Sequence, residues 1–385
     1  MRKLIAQSSM LVVFFLIAVG TQAQPIPKDS LYLGQSVPGN DPKAFNLEVS
    51  PGTFAAERIA ISKDGKEIFY SEVKSYYPVT GAKIRCYKFF DNKWTDSIVL
   101  FDGFMGPALS ITGDTLFIER EPHMYFSIRE NSGWSVPRPI FSSIESAHYL
   151  QVTNKGNYYI SAKSASSVGA SDWSKIQITG KDTVAKSLGF PINRVIDDLD
   201  FFIAKDESYM ITCPQGPICI SYPNGKEGWF NGRYLNNKIN FGISGWGAYV
   251  SPDGKYLFYT TGTKMDYSDV HVYWVSMGNM VDSMKNTNLP PYVKNKPKAQ
   301  AATVGKMFSF IVPADAVCDD DGNSIRYEVL SLDSSPMPAW LSFDSKTKTL
   351  SGTPETEGKV TLRFDAYDNK DAMTAFGLVI NVSDK

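Results

Sequence analysis

Polar turns followed by strands of alternating large apolar residues recur along the first three quarters of the chain. Five stretches carry the pattern: ISKDGKEIFYSEV from Ile61, SITGDTLFIERE from Ser110, VTNKGNYYISAK from Val152, IAKDESYMITCP from Ile203 and VSPDGKYLFYTTG from Val250. Asp-Gly or Lys-Gly supplies the positive φ of a tight hairpin, and the period of two in the following strand buries one face. The turns return about every 42 to 51 residues, the length of a four-stranded sheet. One such sheet cannot cover both its faces, whereas sheets stacked radially cover one another. The pattern therefore predicts an all-β ring of blades.

A second pattern starts after Asn286. Two tandem prolines, a further Pro297 and scattered Lys, Asn and Ala mark a linker through Gly305. Beyond it, PAWLSFDSKTKTLSGTP (Pro338 to Pro354) reads as strand, Asp-led turn, strand and corner, and Val360 to Val382 alternates like two sandwich strands. A third pattern, at the N-terminus, is Arg2 and Lys3 before an apolar run from Met10 to Gly20 and the small-x-small site Thr21-Gln22-Ala23. That predicts a signal peptide cleaved after Ala23, and export to the periplasm or cell surface. No later stretch predicts a transmembrane helix.

The repeats, above all SPDGKYLFYTT at Ser251 to Thr261, resemble the WD40-like PD40 repeats of TolB-type β-propellers. LYLGQSVPG near Leu31 and DVHVYWVSMGNM near Asp269 look like the opening and closing strands of secreted bacterial members. The resemblance covers roughly residues 30 to 285, and only the first and fifth turns carry the full Asp-Gly-Lys. Five blades are clear; a sixth could be assembled from the Leu31 region and the segment before Gly242. The C-terminal segment, opening on NLPPYV and GKMFSFIVPAD, resembles the dystroglycan-type cadherin-like domain, also called the putative Ig family. The expected layout is a signal peptide at 1–23, a five- or six-bladed β-propeller at 24–285, and a linker with a cadherin-like β-sandwich at 286–385, the boundary falling near Leu289.

Composition narrows the functions. At 385 residues two domains are the natural expectation, and 13% aromatic content with 29 Gly and 22 Pro suits all-β folding. A net charge of −1 offers no basic field to a nucleic acid. Cys213 and Cys219 flank Pro-Gln-Gly-Pro-Ile; they are either a disulfide across a hairpin or two buried thiols in adjacent strands. Cys86 and Cys318 look unpaired, and no Cys/His spacing suggests zinc.

Calcium is the one specific cofactor signal. The cadherin-like resemblance implies Ca²⁺ at two oxygen-rich loops: Asp319, Asp320, Asp321 and Asn323 around Gly322, and Asp365, Asp368, Asn369 and Asp371. The competing reading is that these side chains cap their own turns. Cadherin sites share ligands between successive domains, and one such domain is present here.

Enzyme machinery is sparse. His271 sits in an apparent core strand, His123 and His148 lie in irregular polar stretches, and no nucleophile or phosphate-loop motif appears. Asp197, Asp198 and Asp200 after Arg194, with Glu119 and Glu121, are the carboxylates that could pair for glycoside chemistry. Trp94, Trp134, Trp173 and Trp229 follow short polar turns, and recurrence at one repeat position favours packing between blades over a sugar platform. Two functions stand at this point: a non-enzymatic exported binding or scaffold protein with a protein or glycan partner, and a glycan-processing enzyme with axial carboxylates.

Overall fold

The computed structural model describes residues 25–384 apart from 77, 132, 181, 195–196, 215, 226–227 and 333–335. The predicted signal peptide lies outside the described residues. Each polar turn predicted from sequence closes an antiparallel hairpin. In the first, Ser62 Oγ donates to Asp64 Oδ1 at 2.6 Å, the Gly65 N–H returns to the Ser62 carbonyl at 2.8 Å, and Gly65 takes a φ of 74°. The fifth repeats this with Ser251, Asp253 and Gly254. The side-chain oxygen replaces a backbone acceptor, and glycine supplies the left-handed residue.

The hairpins build five antiparallel sheets. The first comprises Phe54–Ile61, Glu67–Val73, Lys83–Phe90 and the short outer strands Lys93–Trp94 and Ile98–Asp102; the second comprises Met105–Leu109, Thr115–Arg120, His123–Glu130 and the outer Gly133–Trp134 and Arg138–Ile140. The third runs His148–Val152, Tyr158–Ala162, Asp172–Thr179 and Asp182–Ser187, and the fourth Asp200–Ile203, Met210–Cys213, Cys219–Ser221 and Arg233–Tyr234. The fifth, Ser244–Val250, Tyr256–Gly262 and His271–Ser276, takes its outer strand from the N-terminal side, where Lys43 and Ala44 pair with Trp274 and Tyr273. The first strands adjoin one another in chain order and the fifth returns to the first, so the sheets close a propeller-like ring around those strands.

The closing element is the strand His271–Ser276, as expected, but the opening element differs from the sequence expectation. The Leu31 stretch is no strand: Lys28–Gly34 is a kinked 3₁₀ segment with positive φ at Tyr32 and Leu33, and Tyr32 packs against Tyr256 and Trp274. Ring closure falls to the two-residue strand Lys43–Ala44. Among the described residues no sixth sheet forms. The residues before Gly242 contribute Arg233–Tyr234, the outer strand of the fourth sheet.

Neighbouring sheets bury apolar faces against each other. Trp134 meets Phe69 edge-on at 5.7 Å across the first and second sheets, and Trp173 and Trp229 fill a cluster with Tyr149 and Phe201 between the third and fourth. Trp94 Nε1 donates to the Ser30 carbonyl at 2.7 Å. All four tryptophans are packing residues. They do not share one position: Trp173 lies on a third strand, Trp94 and Trp134 on outer strands. Cys213 and Cys219 are free thiols. In the hairpin Cys219 stands opposite Thr212, so Cys213 projects from the other face of the sheet.

The C-terminal module has two main sheets. One holds Arg326–Ser331, Gly358–Tyr367, Met373–Ser383 and, parallel to the last, Gln300–Thr303; the other holds Phe308–Ile311, Leu341–Asp344 and Thr349–Gly352. Leu350, Leu362, Phe364, Leu378 and Ile380 fill the core between them. Among the described residues no helix is long and apolar enough to cross a membrane.

Candidate functional site

The innermost strands break register at one level. Shifts fall between Ala56 and Ala60, Met105 and Ala108, His148 and Gln151, and Trp246 and Tyr249. Within each break one residue has positive φ: Glu57 at 65°, Gly106 at 61°, Tyr149 at 55° and Gly247 at 64°. Bulges re-aim side chains, and here they turn polar groups inward from a pleat that would otherwise alternate. The fourth sheet keeps its register and begins with Asp200 at the same level.

The outcome is a buried ionisable tier. His148 lies between two carboxylates, Nδ1 at 2.9 Å from Glu119 Oε2 and Nε2 at 2.9 Å from Asp200 Oδ1. Its ring stacks on Tyr149 at 4.1 Å, whose hydroxyl bonds the Glu57 carboxyl. The Tyr149 N–H donates to Glu119 Oε2 at 3.1 Å, and the Gly247 N–H to Asp200 Oδ2 at 3.3 Å. Arg58 covers the Tyr149 ring at 4.2 Å and donates to the carbonyls of Gly106 and Pro107. Two atoms of the tier are buried without a partner: Glu119 Oε1 and Arg58 Nη1.

Charge in this tier is held by burial and proximity. Burial first, then the neighbouring Asp200, pushes the Glu57 carboxyl up to about 8. Burial alone would lower the His148 imidazole, but Glu119 and Asp200 hold it well above its usual value.

Beside the tier, on the face of the first hairpin turns, opens a cavity of about 540 Å³. All five sheets line it, through residues such as Lys63, Ile111, Asn154, Tyr209 and Pro252. Arg58, Lys63 and Lys205 are its cationic lining residues. Lys205 is open to the cavity yet enclosed by its walls; that desolvation, then repulsion from Arg58, pushes its ammonium down to about 8.

The sequence-predicted carboxylates divide. Glu119 and Asp200 meet across His148, away from the lining of the cavity. Asp197 accepts from the Ser171 N–H at 3.0 Å, tying its loop to the third sheet, and Asp198 accepts from the Arg194 N–H at 2.6 Å within its own loop. Glu121 is exposed. His271, expected inside a core strand, is exposed at the start of His271–Ser276, because the strand's buried face is carried by Val272 and Trp274. His148 was not singled out by sequence. Aligning the five repeats on their turns would have found the tier: Gly106, Tyr149, Asp200 and Gly247 each precede the first turn residue by four positions, and Glu57 by five.

The acidic loops of the second module divide as well. Asp319, Asp321, Asn323 and Asp368 gather around Asn288 and Leu289, where the modules meet. The Leu289 N–H donates to Asp321 Oδ2 at 2.7 Å, Asn288 Nδ2 to Asp368 Oδ2 at 2.5 Å, and Asn323 Nδ2 to Asn288 Oδ1 at 3.2 Å. Asp319 Oδ1 caps its turn by accepting from the Asp321 and Asn323 N–H groups, while its Oδ2 is buried without a partner. Asp320 meets the Tyr292 hydroxyl at 3.3 Å, and burial, then the neighbouring Asp319 and Asp321, raises its carboxyl. Asp365 pairs with Arg363 and Asp371 with Arg326, both away from this group, and Asn369 is exposed.

Residues 290–383 match the putative Ig domain family. No curated protein matches the chain. Among solved structures, TolB from Acinetobacter baumannii is 12% identical over 57% of this chain and 56% of that one, with a TM-score of 0.38. The extracellular domain of a putative hybrid two-component system from B. thetaiotaomicron is 9% identical over 88% and 45%, with a TM-score of 0.34. A putative alpha-galactosidase from Bacteroides fragilis is 24% identical over 25% of this chain, with a TM-score of 0.20; the chain spans 18% of its length.

Proposed function

We propose that this is an exported, non-enzymatic binding or scaffold protein, a five-bladed propeller of the PD40 type whose axial cavity takes a protein segment or a glycan, followed by a calcium-stiffened Ig-like module. One observation carries the binding reading: the cavity of about 540 Å³ is lined by turns of all five sheets, while the carboxylates and histidine beside it bond one another. Loops on a rigid frame make a preformed concave site. A glycosidase needs two carboxyls flanking a solvent-reached bond, and Glu119 and Asp200 flank an imidazole instead. Glycan and peptide arrays on the full chain, repeated with Ser208→Trp at the cavity rim, test this. A binder retained by the wild type should lose at least about tenfold in affinity when the mouth is plugged. Arrays without a binder, or a binder indifferent to the plug, would reject the reading.

The calcium part rests on Asp319. Its Oδ2 is buried without a partner, and Asp321, Asp368, Asn323 and Asn288, whose side chains carry the hard oxygens that calcium takes, share one hydrogen-bonded group with it. Those residues would hold Ca²⁺, which supplies charge neutralisation and a rigid crosslink at the junction. Asp365 and Asp371 would not, because arginines already hold them.

A further inference from the structure

We propose that the axial tier is a binding site for one divalent transition-metal ion, held by Glu57, Asp200 and Nε2 of His148, with Glu119 as the residue that positions the imidazole. The proposal does not depend on what the cavity binds.

Geometry is the first argument. One donor atom from each of Glu57, His148 and Asp200 falls within 4.8 Å of the others, and the three come from the first, third and fourth sheets. Local turn capping does not bring together side chains from three separate sheets. Ligands on a zinc-sized ion lie at about 2.0–2.2 Å from the metal, so modest closure of these side chains suffices.

The second argument is how His148 is held. Glu119 Oε2 engages Nδ1 at 2.9 Å and is itself fixed by the Tyr149 N–H at 3.1 Å. A carboxylate on one ring nitrogen, with the other aimed at further carboxylates, is the orientation a metal-bound imidazole takes. Nε2 faces Asp200 Oδ1 at 2.9 Å, where an ion would enter between them.

Charge is the third. Three carboxylates share this tier, and among the described residues His148 is the one cationic group within 4 Å of Glu119 or Asp200. Arg58 is turned away onto the carbonyls of Gly106 and Pro107. Glu119 Oε1 remains buried with no donor on a side chain 1% exposed. A divalent cation placed there would be held by the charge of these carboxylates. One nitrogen among oxygens selects a first-row ion such as zinc, manganese or cobalt over calcium. The His148 and Asp200 side chains keep 16% and 11% exposure, which leaves the ion a way in and room for a water ligand.

Chelator-treated full-length mature protein titrated with Co²⁺ provides the test, because bound Co²⁺ reports its ligands in the visible spectrum. Visible bands saturating at one equivalent, displaced by Zn²⁺, are expected. His148→Asn and Asp200→Asn should abolish the bands, and the junction variant Asp319→Asn should keep them. Glu119→Gln should bind about 10- to 100-fold more weakly with a shifted spectrum, which a merely structural role would not produce. Circular dichroism on each variant separates lost ligands from lost fold. Absence of any one-equivalent Co²⁺ spectrum in the wild type, or an unchanged one in folded His148→Asn, would overturn the proposal whatever the other variants do.

Discussion

Lys205 shows how position sets the chemistry of a single side chain. It follows the inner strand of the fourth sheet, its Nζ donates to the Val152 carbonyl at 3.2 Å, and the cavity walls with Arg58 lower its ammonium from 10.5 to about 8. Only the neutral amine attacks an acylating reagent, so reactivity must rise as pH passes the residue's own pKa. Competitive amine labelling read by mass spectrometry from pH 6 to 11 should show Lys205 half-modified near 8, below the range of an ordinary lysine. Titration of Lys205 together with the surface lysines would mean that the cavity does not desolvate it. Nothing in the segment IAKDES announces this, because desolvation comes from residues of other sheets. His148 escaped the sequence for the same reason: its partners Glu119 and Asp200 lie 29 and 52 positions away in the chain. Asp319 and Asp368 were legible because a local acidic turn and a known family pattern marked them. Their grouping around Asn288 was not.

Bulges are the element on which the tier depends, and Gly247 is the position with the least freedom in any of them. Its φ is 64°, and a Cβ there would lie 2.5 Å from the Glu57 carbonyl carbon and 2.8 Å from the Arg58 nitrogen, backbone atoms of the first sheet. Gly254, in the neighbouring hairpin turn, has a φ of 72° but open space around it. Substituting alanine at the two separates strain from close approach. Gly254→Ala should cost about 1 kcal/mol, and Gly247→Ala about 2–4 kcal/mol, because it adds a clash at the seam where the fifth sheet meets the first. Urea unfolding with unchanged m would measure both; equal costs would show that the inner strands do not approach so closely. The turns were readable from sequence because Ser, Asp and Gly each do a local job there. Outer strands such as Lys43–Ala44 and Arg233–Tyr234 were not, since two residues show no period. The bulges hid the inner tier, because an extra residue interrupts the alternation that marks a strand.

At the scale of the whole molecule, the question is what fixes the Ig-like module to the ring. Asn231 Nδ2 donates to the Pro290 carbonyl at 2.8 Å, Arg233 Nε to Thr287 at 3.1 Å, and the Tyr234 hydroxyl to Met373 at 3.0 Å. Phe190 stacks on Tyr292 at 6.1 Å. These are few contacts, and most are polar, which by themselves favour relative motion of domains. The acidic group lies in the same junction, so an ion bound there adds several oxygen bonds between the linker and both loops of the module. Binding only to the folded state raises stability by mass action, by about 2.7 kcal/mol at a hundredfold excess over Kd. Calcium at 5 mM should therefore raise the Tm of the Ig-like transition, and chelator should lower it to a fixed baseline. Asp319→Asn should melt at that baseline with or without calcium, whereas Asp371→Asn, whose carboxylate is committed to Arg326, should shift as the wild type does. Identical melting with calcium and with chelator would remove the ion from the junction. A calcium shift that survives Asp319→Asn but disappears in Asp371→Asn would place it in the exposed outer loop instead, leaving the polar contacts of Asn231, Arg233 and Tyr234 to hold the modules unaided.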